Sequence, residues 1–422
     1  MAVINRVLII GGGLSGPCLS LSLAKYGIKS TIFEIRDKGP SESGGSISLG
    51  PDALRILDKY AGIYDKLKET GFTYTKMTVC TEDGCKLGHV QIGQQSINEK
   101  GIDEGYPAIR ILRTKLHEVF LNTIEEQKHL IDIQNNKSII RIEESDNGVI
   151  AHFKDGSTAE GDILIGSDGI HSKVREHILG SKAPKPIFTK TCVVNGFLPF
   201  NVAKKPNEEF EFPSFNFTPS GIFMSIPIDS QSKTLSWGIT TSLDTELNRE
   251  ELNEFEISGR AIKLAKEDFK DYDSEPIRSL LGNVDETKAK VWAPYYIPTL
   301  ETWHTSRTCL IGDAAHALPP NGQGTSVAFQ DAALLTRLLL VKQNKDEIQY
   351  NDLFEKFEQL RKPEIKRIAG NGKPTQALKT KTGPWIWYLK KWAFWGYFTW
   401  NRGVLNMNKG HVYDVDKVDL EL

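Results

Sequence analysis

Three early segments of the chain show the hydrophobic patterns of a βαβ unit. Residues 7–10 form an uninterrupted apolar run, which predicts a strand buried on both faces, as in a parallel sheet. Apolar residues then recur at helical spacing over 14–24, and residues 30–35 predict a second strand. Because parallel strands need such a helical crossover, we predict an α/β chain with a Rossmann-like, doubly wound sheet.

The pattern changes further along the chain. Residues 138–161 predict a small antiparallel meander, and strand-like segments dominate from about 185 to 300, interrupted by one charged helix near 249–270. A buried strand near 310 and two long helices then repeat the strand-and-helix pattern of the first predicted domain. We therefore predict four parts: the first part of the Rossmann-like domain (1–184), an inserted β-rich domain (185–300), the return segment of the first domain (301–362), and an aromatic-rich helical segment (363–422).

The turn after the first strand carries the G-x-G-x-x-G spacing at Gly11, Gly13 and Gly16. The first glycine permits a tight turn, the second lets the backbone approach a pyrophosphate, and the third lets the helix pack on the sheet. Glu34 follows near the end of the second strand, where an acidic residue binds a ribose hydroxyl, and Arg36 lies beside it. These residues predict a dinucleotide site, which could hold NAD or FAD.

Composition narrows the class of protein. A formal net charge of −2 gives no reason to expect nucleic acid as a partner. The five cysteines form no C-x-x-C pair, which predicts reduced thiols in the cytoplasm and no metal site. The chain enters its first predicted strand within a few residues of Met1, so we expect no signal peptide, and no apolar stretch reaches about 18 residues.

Two further motifs carry a family resemblance. They are DILIGSDGIHSKVR at 162–175 and LIGDAAHALPPNGQG at 310–324. With the N-terminal glycines, the chain resembles the class A FAD-dependent aromatic monooxygenases (para-hydroxybenzoate hydroxylase-like). The resemblance covers roughly the first 180 residues and 290–340. The intervening domain resembles the family only in being rich in strand-like segments. It implies that the cofactor is FAD, with 185–300 as the substrate domain.

The resemblance also implies roles for individual residues. Asp313 would accept hydrogen bonds from the ribityl hydroxyls, while backbone N–H groups of the loop after it would face the flavin N1/C2 carbonyl. Arg113 would reach the FAD phosphate or ribityl region, and Arg175 would orient the turn at Asp168. The implied cofactor-binding positions, beyond the glycine motif and Glu34–Arg36, are Arg113, Asp168, Gly169, Gly312, Asp313, Pro319, Asn321, Gly322, Gln323 and Gly324. His316 is expected to be structural.

In the family, NAD(P)H reduces FAD, O₂ adds to give a C4a-hydroperoxide, and one oxygen atom is transferred by hydroxylation or epoxidation. We therefore expect NADPH or NADH and O₂ as co-substrates. No second G-x-G-x-x-G occurs downstream, which favours transient docking of the nicotinamide. The alternatives are an FAD-dependent reductase, a halogenase-like relative, and a non-catalytic flavin-binding module that senses redox state. The segment at Trp237 shows only a part of the W-x-W-x-I-P signature of halogenases.

The predicted sheet at 185–300 supplies candidate walls of a substrate pocket at Phe215, Phe217, Phe223 and Trp237. Alternation places Phe215 and Phe217 on one face of a strand, with the alternative that this face packs on the charged helix. Tyr295 and Tyr296, just before the third motif, are the candidate catalytic residues. No arginine clamp for a carboxylate can be named from the sequence. We therefore expect an aromatic or polycyclic, natural-product-like substrate rather than a simple benzoate.

The segment 385–400, WIWYLKKWAFWGYFTW, holds five of the eight tryptophans. As a helix it would be aromatic nearly all round, so it is either buried or in contact with a membrane. Packing across the two domains, or over the pocket, is one interpretation. The other is peripheral membrane contact through 385–402, since tryptophan with flanking lysine and arginine suits a membrane interface.

Overall fold

The computed structural model describes residues 4–37, 39, 45–93, 105–285, 288–345, 347–376, 382–406 and 413–421. The strands in this part of the chain are β1 (Val7–Ile10), β2 (Ser30–Phe33), β3 (Ser46–Leu49), β4 (Phe72–Tyr74), β5 (Lys76–Cys80), β6 (Lys86–Gln91), β7 (Ala108–Leu112), β8 (Ile131–Gln134), β9 (Ile139–Ser145), β10 (Gly148–Phe153), β11 (Thr158–Gly161), β12 (Ile163–Gly166), β13 (Ile187–Phe188), β14 (Thr191–Pro199), β15 (Ser214–Thr218), β16 (Gly221–Pro227), β17 (Thr234–Ser242), β18 (Lys290–Trp292), β19 (Tyr295–Tyr296), β20 (Thr308–Leu310) and β21 (Val404–Asn406).

The helices in the same ranges connect and cover these strands. They are α1 (Ser15–Ala24), α2 (Pro51–Lys59), α3 (Tyr64–Thr70), α4 (Arg113–Glu126), α5 (Lys173–Leu179), α6 (Arg249–Ile257), α7 (Arg260–Asp268), α8 (Ile277–Gly282), α9 (Asp313–His316), α10 (Gly324–Asn344), α11 (Tyr350–Gln376) and α12 (Pro384–Trp400). The single charged helix expected near 249–270 is two helices, because Gly259 adopts a left-handed conformation between α6 and α7.

The Rossmann-like sheet has the strand order β20-β12-β1-β2-β8, and all its pairs are parallel. Both faces of β1 are buried, as the uninterrupted apolar run predicts, and α1 packs between the sheet and α10. The doubly wound α/β prediction is confirmed. The meander expected at 138–161 is the antiparallel sheet of β9, β10 and β11.

The second domain, called the substrate domain after the role expected of it, is built on an eight-stranded sheet of order β18-β14-β17-β16-β15-β5-β6-β21. Its strands come from three parts of the chain, so the predicted boundary at 185–300 is wrong. The hairpin of β5 and β6, at 76–91, adds to the edge of β15, and β21 pairs with β6 from the C-terminal segment. Strand pairing over such distances depends on tertiary contact, which local pattern does not encode.

One face of this sheet is covered by helices. Phe223 and Trp237 stack at 6.4 Å between ring centroids and are almost fully buried with residues of α7 and α8. These two predicted pocket walls are therefore corrected: they face the helices. Phe215 and Phe217 alternate with the helix-facing positions and lie on the other face.

A third sheet, β3-β7-β4, lies between the two domains. Its residues Leu49, Ile109 and Ile111 are buried in the core of the Rossmann-like domain. Its opposite face, with Tyr74 and Ala108, packs with residues of the substrate sheet. The small sheet thus joins the dinucleotide domain to the face of the substrate sheet that the helices leave open.

Glu144 on β9 ties the meander to the segment that leads into β20. Its carboxylate accepts hydrogen bonds from Thr305 Oγ1, Ser306 Oγ, Arg307 N and Thr308 Oγ1 at 2.5–2.9 Å. Partial burial opposes ionisation, but these hydrogen bonds and His177 lower the pKa of Glu144 to about 2. The carboxylate therefore favours the folded state at neutral pH.

Glu144→Gln is expected to lower the free energy of unfolding by about 2 kcal/mol at pH 7. Because the folded pKa is depressed, this stabilisation is present above the unfolded value near 4.5 and is lost as the pH falls toward about 2. Urea unfolding of both proteins between pH 7 and pH 3 measures it. A difference that stays constant over that range would contradict the assignment.

Candidate active site

The glycine motif forms a turn that the second motif closes from behind. Gly11 has φ +109°, and a Cβ there would lie 2.4 Å from Ser167 O. A Cβ on Gly16 would lie 2.2 Å from Gly11 O, so both positions require glycine for packing. A Cβ on Gly13 would meet nothing within 4 Å, since this part of the turn faces open space. Gly13 therefore has the setting expected of a backbone that a ligand approaches.

Glu34 lies directly against this turn and is nearly buried. Its carboxylate accepts from Gly12 N at 2.8 Å and from Arg36 Nε at 2.7 Å. Burial opposes ionisation of Glu34, but the hydrogen bonds from Arg36 and Gly12 hold its pKa below the usual range. The acidic residue is thus ionised at the end of β2, where the sequence predicts a ribose contact.

His117 on α4 also holds the turn, and the sequence analysis did not find it. Its Nε2 lies 2.7 Å from Gly12 O, so this nitrogen carries the hydrogen. Burial lowers the pKa of His117, and its Nδ1 is buried without a partner. The only sequence signal is its position four residues after Arg113, one turn along the same helix.

The third motif meets the first at the start of α1. Gly312 has φ +61°, and a Cβ there would lie 2.7 Å from Ser15 Oγ. Asp313 follows as the first residue of α9, with its side chain exposed to open space and no hydrogen-bond donor on it among the described residues. Burial by the surrounding protein nevertheless raises its pKa, while His316 and Arg113 oppose that rise. This carboxylate is surrounded by protein and open on one side.

Arg113 brings the remaining predicted residues together. Burial lowers its pKa, as does the nearby Arg36, while the charges of Asp313 and Glu34 act in the opposite direction. Arg36 and Glu34 are ion-paired at 2.7 Å beside the glycine turn, and Arg113 lies close enough to this pair and to Asp313 to feel their charges. The loop at 319–323 leads into α10, where Gly322 has φ +79°, and Cβ atoms on Gly322 or Gly324 would also meet nothing within 4 Å.

This arrangement fits FAD. The open acceptor at Asp313 suits the ribityl hydroxyls, and the cation at Arg113 suits a phosphate. The unobstructed glycines at 13, 322 and 324 leave room for a planar ring. The N-terminus of α10, a helix of 21 residues, adds a partial positive charge. Pro319 and Gln323 lie in the same loop, with Gln323 N donating to Asn321 Oδ1 at 3.0 Å.

Asp168, Gly169 and Arg175 shape the second motif. Asp168 Oδ2 accepts from Lys173 N at 2.7 Å at the start of α5, and its Oδ1 is buried without a partner. Gly169 has φ +77°. Arg175 is buried and donates to Ala314 O at 3.0 Å, so it holds this turn against the third motif, in the orienting role expected of it. A direct contact of Asp168 or Gly169 with FAD stays a prediction.

A buried charged network supports the third motif from the opposite side. Asp331 on α10 is fully buried and contacts His316 Nε2 at 2.6 Å, Arg361 Nε at 2.7 Å and Gly312 N at 2.8 Å. His316 therefore faces this network, in the structural role expected of it. Asp331 and Arg361 escaped the sequence analysis because each is a single charge within a long helical pattern.

The open face of the substrate sheet meets the small sheet, and half-buried side chains such as Phe72 and Phe215 line their junction, which we call the cleft. Phe215 and Phe217 lie on this face, and the ring of Phe217 packs on that of Phe394 of α12 in a tilted arrangement, with 5.0 Å between ring centroids. The cleft also contains Arg110, which the sequence analysis missed. Tyr295 lies instead on β19, against Phe188 at 5.4 Å, and Tyr296 pairs with Ile187. A catalytic role for either tyrosine stays a prediction.

A Rossmann-like domain whose three motifs converge on one cradle, beside a separate sheet domain, fits an FAD-binding protein. Residues 5–369 match the model of the "FAD binding domain" family, and the chain belongs to that family. With its named relatives it is an FAD-dependent monooxygenase.

Two relatives illustrate the similarity. A 3-amino-4-hydroxybenzoate 2-monooxygenase of Streptomyces platensis is 27% identical over 367 residues, covering 86% of this chain and 85% of the relative. A 6-hydroxynicotinate 3-monooxygenase of Pseudomonas fluorescens is 25% identical over 350 residues, covering 79% and 82%. Among solved structures, Klebsiella pneumoniae HpxO with FAD and uric acid has a TM-score of 0.72 at 20% identity, covering 92% and 91%. This last similarity concerns the fold.

Proposed function

We propose that this protein inserts one oxygen atom from O₂ into an aromatic small molecule, with NADPH or NADH as the reductant. The observation that carries the proposal is the convergence of Glu34, Arg36, Arg113 and Asp313 in front of the open glycine turn. The reductase, halogenase-like and non-catalytic alternatives would need the same FAD cradle. They differ from a monooxygenase in the product that they form.

FAD supplies the electron transfer and oxygen activation when it is bound. The chain's own residues then have three tasks. Asp313 and Arg113 hold the polar part of the cofactor, and the N-terminus of α10 favours negative charge near it. The apolar wall of Phe215 and Phe217 keeps water away from the reacting groups.

A spectrum of the purified protein and an assay under air test this function. We expect a bound flavin, NADPH oxidation that one aromatic compound of a panel stimulates, and a product heavier by one oxygen atom. NADPH oxidation that reduces the added compound, with no uptake of O₂, would identify a reductase. A flavin-loaded protein that no compound stimulates would favour a redox-sensing module.

We also propose a cytoplasmic location with peripheral contact to a membrane through 385–402. Trp387 and Phe398 of α12 are buried against the substrate domain, and Lys391 Nζ contacts Glu82 at 2.9 Å. The opposite face of α12 is exposed over most of its length, with relative exposures of 57–88% at Trp385, Ile386, Tyr388, Leu389, Trp392, Trp395 and Trp400. In the described ranges, no helix has the length and apolarity to cross a bilayer.

Charge favours an anionic lipid surface as the occupant of this face. Residues 365–413 contain nine lysines and arginines and no aspartate or glutamate, although the whole chain has a net charge of −2. Tryptophan and tyrosine favour the headgroup region, and cationic residues near it attract anionic lipids. Residues 385–402 lie beyond the 5–369 match to the family model.

Sedimentation with vesicles tests this contact. The protein is expected to bind phosphatidylcholine vesicles that contain phosphatidylglycerol more strongly than phosphatidylcholine alone, and less in high salt. The triple variant Trp385→Ser, Trp392→Ser, Trp400→Ser should lose roughly tenfold or more in vesicle affinity and keep its NADPH oxidation. If the wild-type protein forms dimers and binds neither kind of vesicle, the exposed face of α12 serves self-association instead.

A further inference from the structure

Arg110 lies in the middle strand of the small sheet and faces the cleft. On β7 it pairs with Ser48 of β3 on one side and Phe72 of β4 on the other. Its neighbours Ile109 and Ile111 point the opposite way, into the core of the Rossmann-like domain. The guanidinium is therefore directed toward the open face of the substrate sheet.

Neutral hydroxyl groups hold this guanidinium in place. Arg110 Nε donates to Ser46 Oγ and Nη1 donates to Ser48 Oγ, both at 3.0 Å. Tyr74 Oη donates to Ser48 Oγ at 2.9 Å, and Ser46 Oγ donates to Ser236 Oγ of the substrate sheet at 2.9 Å. The cluster of Arg110, Ser46, Ser48, Tyr74 and Ser236 thus bridges the two walls of the cleft.

No carboxylate among the described residues pairs with Arg110. The surrounding protein lowers its pKa by desolvation, and among the described residues Tyr74 opposes this effect. Arg110 is half-buried, and a charge partly withdrawn from water is normally paired with an opposite charge. The charge at Arg110 has no such partner in the described protein.

The hydrogen bonds leave one edge of the guanidinium unused. Of its five N–H groups, the serines engage two. Nη2 has no hydrogen bond to a described residue and is not fully buried, so it is open to the cleft. The edge formed by Nη1 and Nη2 matches the two oxygens of a carboxylate.

An apolar surface lies next to this edge. Tyr74 belongs to one buried cluster with Ile226 and, at its periphery, Phe72 and Phe215. Phe72 stacks on Tyr74 at 5.9 Å between ring centroids. A flat ring with one acidic substituent would satisfy both the apolar surface and the unpaired cation.

We propose that Arg110 anchors the carboxylate of an aromatic acid, which is the substrate of the monooxygenase. This inference rests on the proposed function. It changes the expectation from sequence, which disfavoured a benzoate-like compound because no arginine could be assigned to it. Arg110 acts as a specificity-determining residue, and the serines and Tyr74 position its guanidinium.

The test compares aromatic acids with their carboxamides, in wild-type protein and in Arg110→Met. The pairs are 6-hydroxynicotinate with 6-hydroxynicotinamide, and 4-hydroxybenzoate with 4-hydroxybenzamide, measured by equilibrium titration of the FAD-loaded protein and by KM. Arg110→Met is expected to weaken binding of the acids roughly 10- to 100-fold and of the amides less than threefold. Arg110→Lys should restore part of the loss, and Arg278→Met, at an exposed arginine, is the matched control.

The outcomes separate this proposal from the proposed function. Wild-type protein that binds no acid more tightly than its amide would overturn the role of Arg110. So would an Arg110→Met protein that melts earlier or loses FAD with an unchanged acid-to-amide ratio, since the arginine would then be structural. Wild-type protein that binds the acids through Arg110 but forms no oxygenated product would overturn the monooxygenase function and leave the anion site standing.

Discussion

Gly13→Ala is expected to lower the affinity for FAD roughly 100-fold while the apoprotein stays as stable as the wild type. A Cβ at this position meets no protein atom within 4 Å, so the methyl group causes no clash in the fold. It would occupy the space through which the backbone approaches the pyrophosphate, at the cost of one or two charge-assisted hydrogen bonds of about 1.5–3 kcal/mol each. Fluorescence titration with FAD and thermal melting of the apoprotein measure the two quantities.

Two other glycines serve as controls. Gly16→Ala should destabilise the apoprotein as well, because its Cβ would lie 2.2 Å from Gly11 O. Gly27→Ala carries the strain of φ +76° without any clash, just beyond the end of α1 that is opposite to the motif, and should leave FAD affinity unchanged. Unaltered FAD binding in Gly13→Ala would show that the open space at Gly13 is not where the cofactor lies.

Asp331→Asn is expected to lower the free energy of unfolding by about 3–5 kcal/mol. The substitution keeps the shape of the side chain but leaves Arg361, which is itself fully buried, without its counter-charge. It also weakens the acceptor of Gly312 N, so the third motif loses its support. Urea unfolding at pH 7 measures the change.

The pH dependence has a defined sign. Burial opposes ionisation of Asp331, but His316 and Arg361 hold its pKa below the usual range. The stabilisation is therefore complete above the unfolded pKa of about 4 and declines as the pH falls through the folded value. The stability difference between the wild type and Asp331→Asn should shrink in acid.

A double substitution distinguishes the loss of the ion pair from the loss of side-chain packing. Asp331→Leu combined with Arg361→Leu should be less destabilising than the sum of the two single changes, because no charge is then left unpaired. Glu125→Gln, which breaks an exposed pair with Lys128 at 3.3 Å, should change stability by less than about 0.5 kcal/mol. Additive effects at Asp331 and Arg361 would contradict a coupled network.

The cofactor domain could be predicted because its signals are local. The apolar run of β1, the glycine turn and Glu34 lie within one βαβ unit, where each residue type has a direct backbone reason. The other two motifs are also continuous segments. The structure brings them together through contacts of Gly11 with Ser167 and of Gly312 with Ser15.

The substrate side could be predicted only in part. Alternation correctly placed Phe215 and Phe217 on one face, but a period of two does not say which face meets the helices. Phe223 and Trp237 were assigned to the pocket for that reason. The hairpin at 76–91 joins the substrate sheet through β15, a pairing over more than one hundred residues that no local pattern shows.

By itself, the sequence determined the α/β class, the dinucleotide turn and, through three ordered motifs, the flavin cofactor. Tertiary structure alone decided the extent of the substrate sheet, the network around Asp331, the direction of Arg110 and the exposed face of α12. Backbone requirements for glycine, and for an acid at a strand end, are properties of a few neighbouring residues. The environment of a single charge or aromatic ring is created by chain segments that meet only on folding.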